Sequence, residues 1–346
     1  MNLSSVLLTI CLTILGCHGF AEKKYSDPPV TLLNSFMSFP YGSDSSLKLP
    51  LYKDCPVIYD NDDHRDVYTD EYLLALSSLG EIDLKGIITT YSAYEYEQFV
   101  KGREEMMALA KTCGLKRLPK LFKGTNKKLT QPKDQKIVET KKLDIDGSRF
   151  IVEIAKKCSA SKPLVIISGG QLTSIANAYL LDKSISEKIV VMGIFGANEL
   201  TYNAGLDSWA WTIILAKFRV VSISDTKGGV VFSKPPVVPK IKILRDLNQD
   251  IPFFHWMYIK KHPTNSGPDE ADYDGAPAIL ITRPDYVTKW KCFDFAGIDP
   301  EGKPVLREDE NGTILQAEDA TQDIATNEFW RVMLKLNEQL KGGRLN

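Results

Sequence analysis

Short apolar, β-branched runs recur along the chain at 57–60, 84–90, 164–168, 189–195, 218–224 and 278–282. Their apolar residues are nearly continuous rather than alternating, the pattern of strands buried on both faces of a sheet. Between several of them the period lengthens to that of a helix. Phe99, Met106, Ala110 and Cys113 share one face of a helix over 99–113. Ile151, Ile154, Ala155 and Cys158 do the same over 150–158, and Leu172, Ile175, Ala176 and Tyr179 over 172–181. A further amphipathic helix is predicted over 72–80. Strand–helix alternation predicts an α/β fold with a mostly parallel, doubly wound sheet. No internal repeat or linker divides the chain, so a single large domain is expected over 51–336. An extension over 22–50 precedes it, and a polar tail over 337–346 follows. The stretch 261–277, rich in Gly, Pro and Asp, is long enough to form a flap.

In such a sheet, ligands bind at the carboxyl ends of the strands. Asp60 and Asp62 fall at the end of the first run, Ser168-Gly169-Gly170 at the end of another, and Asp274 just before the last. The acidic run Asp60-Asn61-Asp62-Asp63 is followed by Asp70-Glu71, which opens the helix over 72–80. Carboxylates a few ångströms apart in a low-dielectric setting cannot all stay ionised without a counter-charge. A hard divalent cation, Ca²⁺ or Mg²⁺, is the counter-charge that oxygen ligands favour. The local alternative is a solvated acidic turn ahead of a helix N-terminus that accepts Asp70 and Glu71 for dipole reasons.

Composition narrows the partners more than the fold. The chain has 346 residues, 43% hydrophobic and 25% charged, enough to build a core without covalent staples. The formal net charge of -1, with basic residues dispersed apart from a mild cluster over 116–142, argues against a nucleic-acid or membrane-surface partner. Residues 6–15 are apolar but too few to span a bilayer, and small residues follow at Cys17, Gly19 and Ala21. This predicts a secretory signal peptide over 1–21 and a secreted, extracellular protein. The segment before the apolar run carries no Lys or Arg, and Leu15-Gly16-Cys17 also permits a lipobox. With the signal removed, Cys55, Cys113, Cys158 and Cys292 remain. An even number permits two disulfides in an oxidising compartment, with four free thiols as the alternative. The wide spacings exclude a zinc ribbon or a CxxC pair. Asn311-Gly312-Thr313 is a glycosylation sequon.

Beyond the acidic segments come Glu81-Ile82-Asp83-Leu84-Lys85-Gly86-Ile87-Ile88-Thr89-Thr90 and Val165-Ile166-Ile167-Ser168-Gly169-Gly170-Gln171-Leu172-Thr173-Ser174-Ile175-Ala176. Val190-Val191-Met192-Gly193, Tyr202-Asn203-Ala204-Gly205-Leu206-Asp207 and Tyr273-Asp274-Gly275-Ala276-Pro277-Ala278 complete the series. In this order, over about residues 55–290, the set resembles the inosine/uridine-preferring nucleoside hydrolase family. The resemblance implies a metal-dependent hydrolase that cleaves the N-glycosidic bond of a ribonucleoside or related N-riboside, with Ca²⁺ as cofactor. It implies Asp62, Glu71, Asp274 and the backbone carbonyl of Gly169 as cation ligands, with Asp60 behind them. Asp62 would also act as general base on a metal-bound water, while Asp70 and Asn203 hold ribose hydroxyls. A hard cation suits these oxygen donors and acidifies water. Carboxylates also stabilise the oxocarbenium-like state of such a cleavage. The partner implied is a small-molecule nucleoside, with a homo-oligomer left open.

The departures are specific. Glu71 stands in place of a second Asp, and the turn after Asp62 is long and carries His64, Arg65 and Asp66. Tyr273 replaces the His beside the metal-binding Asp, and a phenol of pKa ~10 is a weak acid at neutral pH. His64 is the candidate replacement acid, against an ordinary loop-surface His. Thr201 stands where the family has a Glu that reads the 5′-hydroxyl, with Asn198 as a nearby substitute. Trp209, Trp256 and Tyr258 are candidates for stacking on a base, against core packing. Two other functions fit parts of the pattern. One is a haloacid-dehalogenase-type phosphohydrolase, which leaves Asp274 without a role. The other is a non-catalytic protein of the same fold that binds ribosyl ligands.

Overall fold

The apolar runs assemble into one large sheet. A computed structural model describes residues 52, 54–62, 68–91, 96–224, 232–233, 244–246, 251–261, 271–272 and 274–342. The signal-peptide segment, the extension up to residue 51, His64, Arg65, Tyr273 and most of the 261–277 loop lie outside the described residues.

The strands are β1 (Pro56–Asn61), β2 (Asp83–Thr89), β3 (Lys120–Lys123), β4 (Leu164–Ser168), β5 (Ile189–Ile194) and β6 (Arg219–Ile223), then β7 (Phe232–Ser233), β8 (Ala271–Asp272), β9 (Val287–Ile298), β10 (Pro304–Glu308) and β11 (Ile314–Ala320). β7 and β8 form a small antiparallel ladder of their own. The others make a nine-stranded sheet in the order β10-β9-β11-β6-β5-β4-β1-β2-β3. Pairing is parallel from β3 through β11 and antiparallel at β11-β9 and β9-β10. The expected doubly wound α/β architecture is therefore present, extended at one edge by an antiparallel hairpin and a return strand.

The helices are α1 (Thr69–Leu79), α2 (Tyr96–Thr112), α3 (Asp146–Lys156), α4 (Thr173–Leu181), α5 (Tyr202–Leu206), α6 (Ser208–Lys217), α7 (Pro252–Lys261), α8 (Gly275–Ile279) and α9 (Gln322–Gly342). Val57 and Tyr59 of β1 face one core with Leu73 and Leu76 of α1, Met106 of α2, Ile279 of α8 and Phe329 of α9. Ile58 faces the other core with Ile151 of α3, Ile175 of α4 and Ile213 of α6. β4 and β5 are buried along their whole lengths, which is why they read as unbroken apolar runs.

Two expectations change, and the choice left open for the cysteines is decided. The run at 278–282 is not a strand: α8 takes Ala278 and Ile279, and the chain then turns. A short buried apolar run carries no period to separate the two states. The polar stretch after Asn337 is helix, because α9 continues to Gly342 with Leu340 buried. Cys55, Cys113, Cys158 and Cys292 are all free thiols. No helix among the described residues is long and apolar enough to cross a membrane.

Candidate active site

From β1 the chain moves outward to β2 and β3, then returns past β1 to β4, β5 and β6. The reversal lies between β1 and β4, and neighbouring connections that leave in opposite directions open a crevice at the carboxyl ends there. Asp60 pairs with Ser168 across these strands. The Gly169 N–H then donates to the Asp60 carbonyl at 3.0 Å, setting Asn61-Asp62 beside Gly169-Gly170. Both glycines are needed for this close approach. A Cβ on Gly169 would collide with the Asp274 carboxylate and the Asn61 amide, and one on Gly170 with Asp62. Asp62 and Asp274, far apart in sequence, thus flank one turn.

Alternation along β1 decides what faces what. Tyr59 and Asn61 share a face, and both meet Asp274: the Asn61 amide and the Tyr59 hydroxyl, the latter at 3.3 Å, donate to Asp274 Oδ2. The same Asn61 receives Arg103, which reaches in from α2 and is completely buried. Arg103 Nη2 donates to Asn61 Oδ1 at 2.7 Å and Nη1 to the Asn61 carbonyl at 3.0 Å. Nη1 also donates to Thr89 Oγ1 at 3.2 Å, while Nε and Nη2 hold the two Asp70 oxygens at 3.2 and 3.5 Å. Every N–H of the guanidinium therefore has an acceptor. Its carbon also stands 5.8 Å from the Tyr59 ring centroid.

Neither Arg103 nor Asn61 was a candidate in the sequence, though each left a signal. Phe99, Arg103, Met106 and Ala110 are the buried positions of α2. A charged residue inside an otherwise apolar stripe needs a buried partner. Asn61, the middle residue of Asp60-Asn61-Asp62, shares Tyr59's inward face by the alternation along β1.

Asp60 occupies the opposite face. It is fully buried, and neither of its oxygens meets a donor in good hydrogen-bond geometry among the described residues. Burial pushes its carboxyl up to about 8, against the opposing Arg103 charge and the nearby Ser174 hydroxyl. Asp70 and Glu71 lie in the first turn of α1, both buried. Tyr68 precedes them in a left-handed conformation, φ 61°, which costs a non-glycine residue on the order of 1 kcal/mol and turns the chain into the helix.

The remaining predicted residues divide. The Asn203 amide donates to the carbonyls of Gly169 at 3.1 Å and Ile194 at 3.0 Å, placing it at the crevice. The Thr201 hydroxyl accepts from the Gly196 N–H at 3.2 Å, so it serves a turn. Asn198 is exposed. Glu199, two residues before Thr201, accepts a hydrogen bond from Ser224 at the same sheet edge. Trp209 is core, its indole N–H bonded to Thr140 Oγ1 at 2.9 Å. Trp256 packs half-buried on the other core, and the Tyr258 side chain lies outside the described residues.

The donors at the glycine turn are all oxygen: Asp62, Asp274 and a Gly169 carbonyl with one lone pair left after Asn203, with Glu71 buried in the first turn of α1. Those donors, and the cradle that a Cβ on Gly169 would fill, fit a hard cation in kind. As they stand, no three His, Cys, Asp or Glu side chains among the described residues are arranged to share an ion. Asp274 is turned instead into Asn61.

No family model matches the sequence, and no curated protein matches it either. Solved structures do match in shape. A purine-preferring ribonucleoside hydrolase from Gardnerella vaginalis covers 82% of this chain and 99% of its own, at 21% identity and a TM-score of 0.60. An inosine-uridine preferring nucleoside hydrolase from Bacillus anthracis covers 81% and 99%, at 14% identity and a TM-score of 0.58. A plant nucleoside hydrolase covers 81% and 98%, at 12% and 0.58. Likeness at these identities establishes the fold: the chain has the α/β architecture of nucleoside hydrolases.

Proposed function

We propose that the protein is a secreted hydrolase that cleaves the N-glycosidic bond of a ribonucleoside or a related N-riboside, assisted by Ca²⁺. The observation that carries this reading is the convergence of Asp62 and Asp274 on the Gly169-Gly170 turn, at the reversal of a nucleoside-hydrolase-like sheet. Asp62, Glu71, Asp274 and the Gly169 carbonyl are the residues that would hold the ion. Bound there, Ca²⁺ would supply positive charge and make water easier to deprotonate. Asp62 is 6% exposed where Asp60, Asp70 and Glu71 are fully buried, which supports it as the carboxylate that would take a proton from the attacking water. Asp70 is fixed by Arg103 and has acceptor lone pairs left for ribose hydroxyls. Asn203, 7% exposed, spends its amide N–H groups on the Gly169 and Ile194 carbonyls and would keep Oδ1 for a ribose hydroxyl. The cluster's negative charge opposes the positive charge that develops on the sugar as the bond to the base breaks.

A phosphohydrolase leaves the placement of Asp274 against Gly169 without purpose. A ribosyl-binding protein without turnover is the second reading, favoured by the Asn61 amide that occupies Asp274. A panel of nucleosides and other N-ribosides with added Ca²⁺, read by free base, separates them. Hydrolysis is expected from the wild type and lost in Asp62→Ala or under chelation. Ligand-dependent thermal stabilisation with no free base would establish the binding protein instead.

A further inference from the structure

The acidic crevice already contains a cation of its own. Asp60 and Asp70 are completely buried, and Arg103 is the positive charge that reaches both, by direct bonds to Asp70 and through the field at Asp60. Asp60 adds a buried carboxylate whose oxygens lack a well-formed hydrogen bond among the described residues. Among the described residues, one guanidinium thus stands against several carboxylates at the end of β1 and the start of α1. It also acts on the donor geometry: Arg103 holds Asn61 Oδ1, which leaves the Asn61 amide pointing at Asp274, one of the proposed ligands.

We infer that Arg103 is a built-in counter-ion that competes with a divalent cation for the charge of this cluster, and so sets how tightly the site takes Ca²⁺. The inference rests on the Ca²⁺-assisted reading above. The competition has two sources. A buried unit positive charge close to a divalent ion, at an effective dielectric of about 20, weakens binding by on the order of tenfold or more. In addition, Asp274 must give up the Asn61 amide that Arg103 orients. A guanidinium cannot be deprotonated, so this opposition persists at every physiological pH.

The test is ion binding by the full chain, read by calorimetry with Ca²⁺ and by sensitised luminescence with Tb³⁺, on wild type, Arg103→Met, Arg103→Lys and Asp70→Asn. Arg103→Met is expected to bind Ca²⁺ at least about tenfold more tightly than wild type, and to gain more melting temperature from added Ca²⁺. Arg103→Lys, which keeps the charge but loses the forked hold on Asn61, should tighten binding clearly less than Arg103→Met does. Asp70→Asn removes a negative charge while leaving Arg103, so it should bind several-fold more weakly. The inference is overturned if Arg103→Met binds no more tightly, or if Arg103→Lys tightens binding as much as Arg103→Met does. Unchanged affinity in Asp70→Asn overturns it as well, and that arm decides should Arg103→Met fail to fold with or without Ca²⁺. Absence of ion binding in every variant also overturns it. None of these readouts needs turnover, so a failure to release base from nucleosides counts against the hydrolase reading alone.

Discussion

Helix α1 has an arginine–carboxylate system at each end, and the two are built differently. At its start, Arg103 meets Asp70 with no solvent exposure on either side chain. Just past its end, Gly80 takes the left-handed cap, φ 75°, and Glu81 meets Arg331 of α9. Arg331 grips Glu81 through two bonds, at 2.9 and 2.6 Å, and Glu328 through two more, at 2.7 and 2.6 Å. The side chains of Arg331 and Glu81 remain 35% and 25% exposed. The pairs share their chemistry and differ in whether water can step in when one partner is lost. That difference orders the expected effects of mutation. It also separates the first system, part of the proposed site, from the second, which clamps α9 to the end of α1.

Arg103→Met should be the most damaging change, because it strands buried carboxylates that water cannot reach. A loss of about 3–5 kcal/mol is expected in urea unfolding at neutral pH. Arg331→Met should cost less, about 1–3 kcal/mol, because it orphans Glu328, which is 2% exposed and then keeps the Tyr72 hydroxyl at 3.4 Å. Glu81→Gln should cost least, under about 1 kcal/mol, since half-exposed pairs are screened.

Glu81 carries a pH signature that separates the clamp from the site. Burial pushes its carboxyl up, but the hydrogen bonds and charge of Arg331, with Lys335, outweigh this and hold it below the ordinary value of 4.5. A carboxyl lowered by folding contributes stability above its unfolded pKa, and that contribution disappears as pH falls through the folded one. Wild type should therefore exceed Glu81→Gln at pH 7, with the gap closing below about pH 4.5. A gap that stays constant in urea midpoints taken from pH 7 to pH 3 would remove the ion pair as its cause.

The same contrast explains what the sequence disclosed. Glu328 and Arg331 sit one helical turn apart, a contact that local spacing alone permits, though neither stood out in the sequence. The parallel sheet was legible because β4 and β5 are apolar along their whole lengths, and the acidic ends of the strands pointed to the crevice. Arg103 was hidden by long-range geometry. Asp70 and Asn61 are its partners from other elements, and no local period links a residue on α2 to one on β1. The antiparallel extension β9-β10-β11 escaped as well, since its edge strand is only Pro304–Glu308 and ends in the adjacent charges Arg307-Glu308 instead of forming a buried apolar run. Conversely, the run at 278–282 looked like a strand because burial, and not sheet pairing, made it apolar.

The claim that the crevice carboxylates and Arg103 form one charge system is tested most directly by a double-mutant cycle on Asp70→Asn and Arg103→Met, read by equilibrium unfolding. The double variant is expected to be more stable than Arg103→Met alone, with a coupling of at least about 2 kcal/mol between the two positions. Additive losses, with no coupling beyond about 0.5 kcal/mol, would contradict it and leave Arg103 as packing.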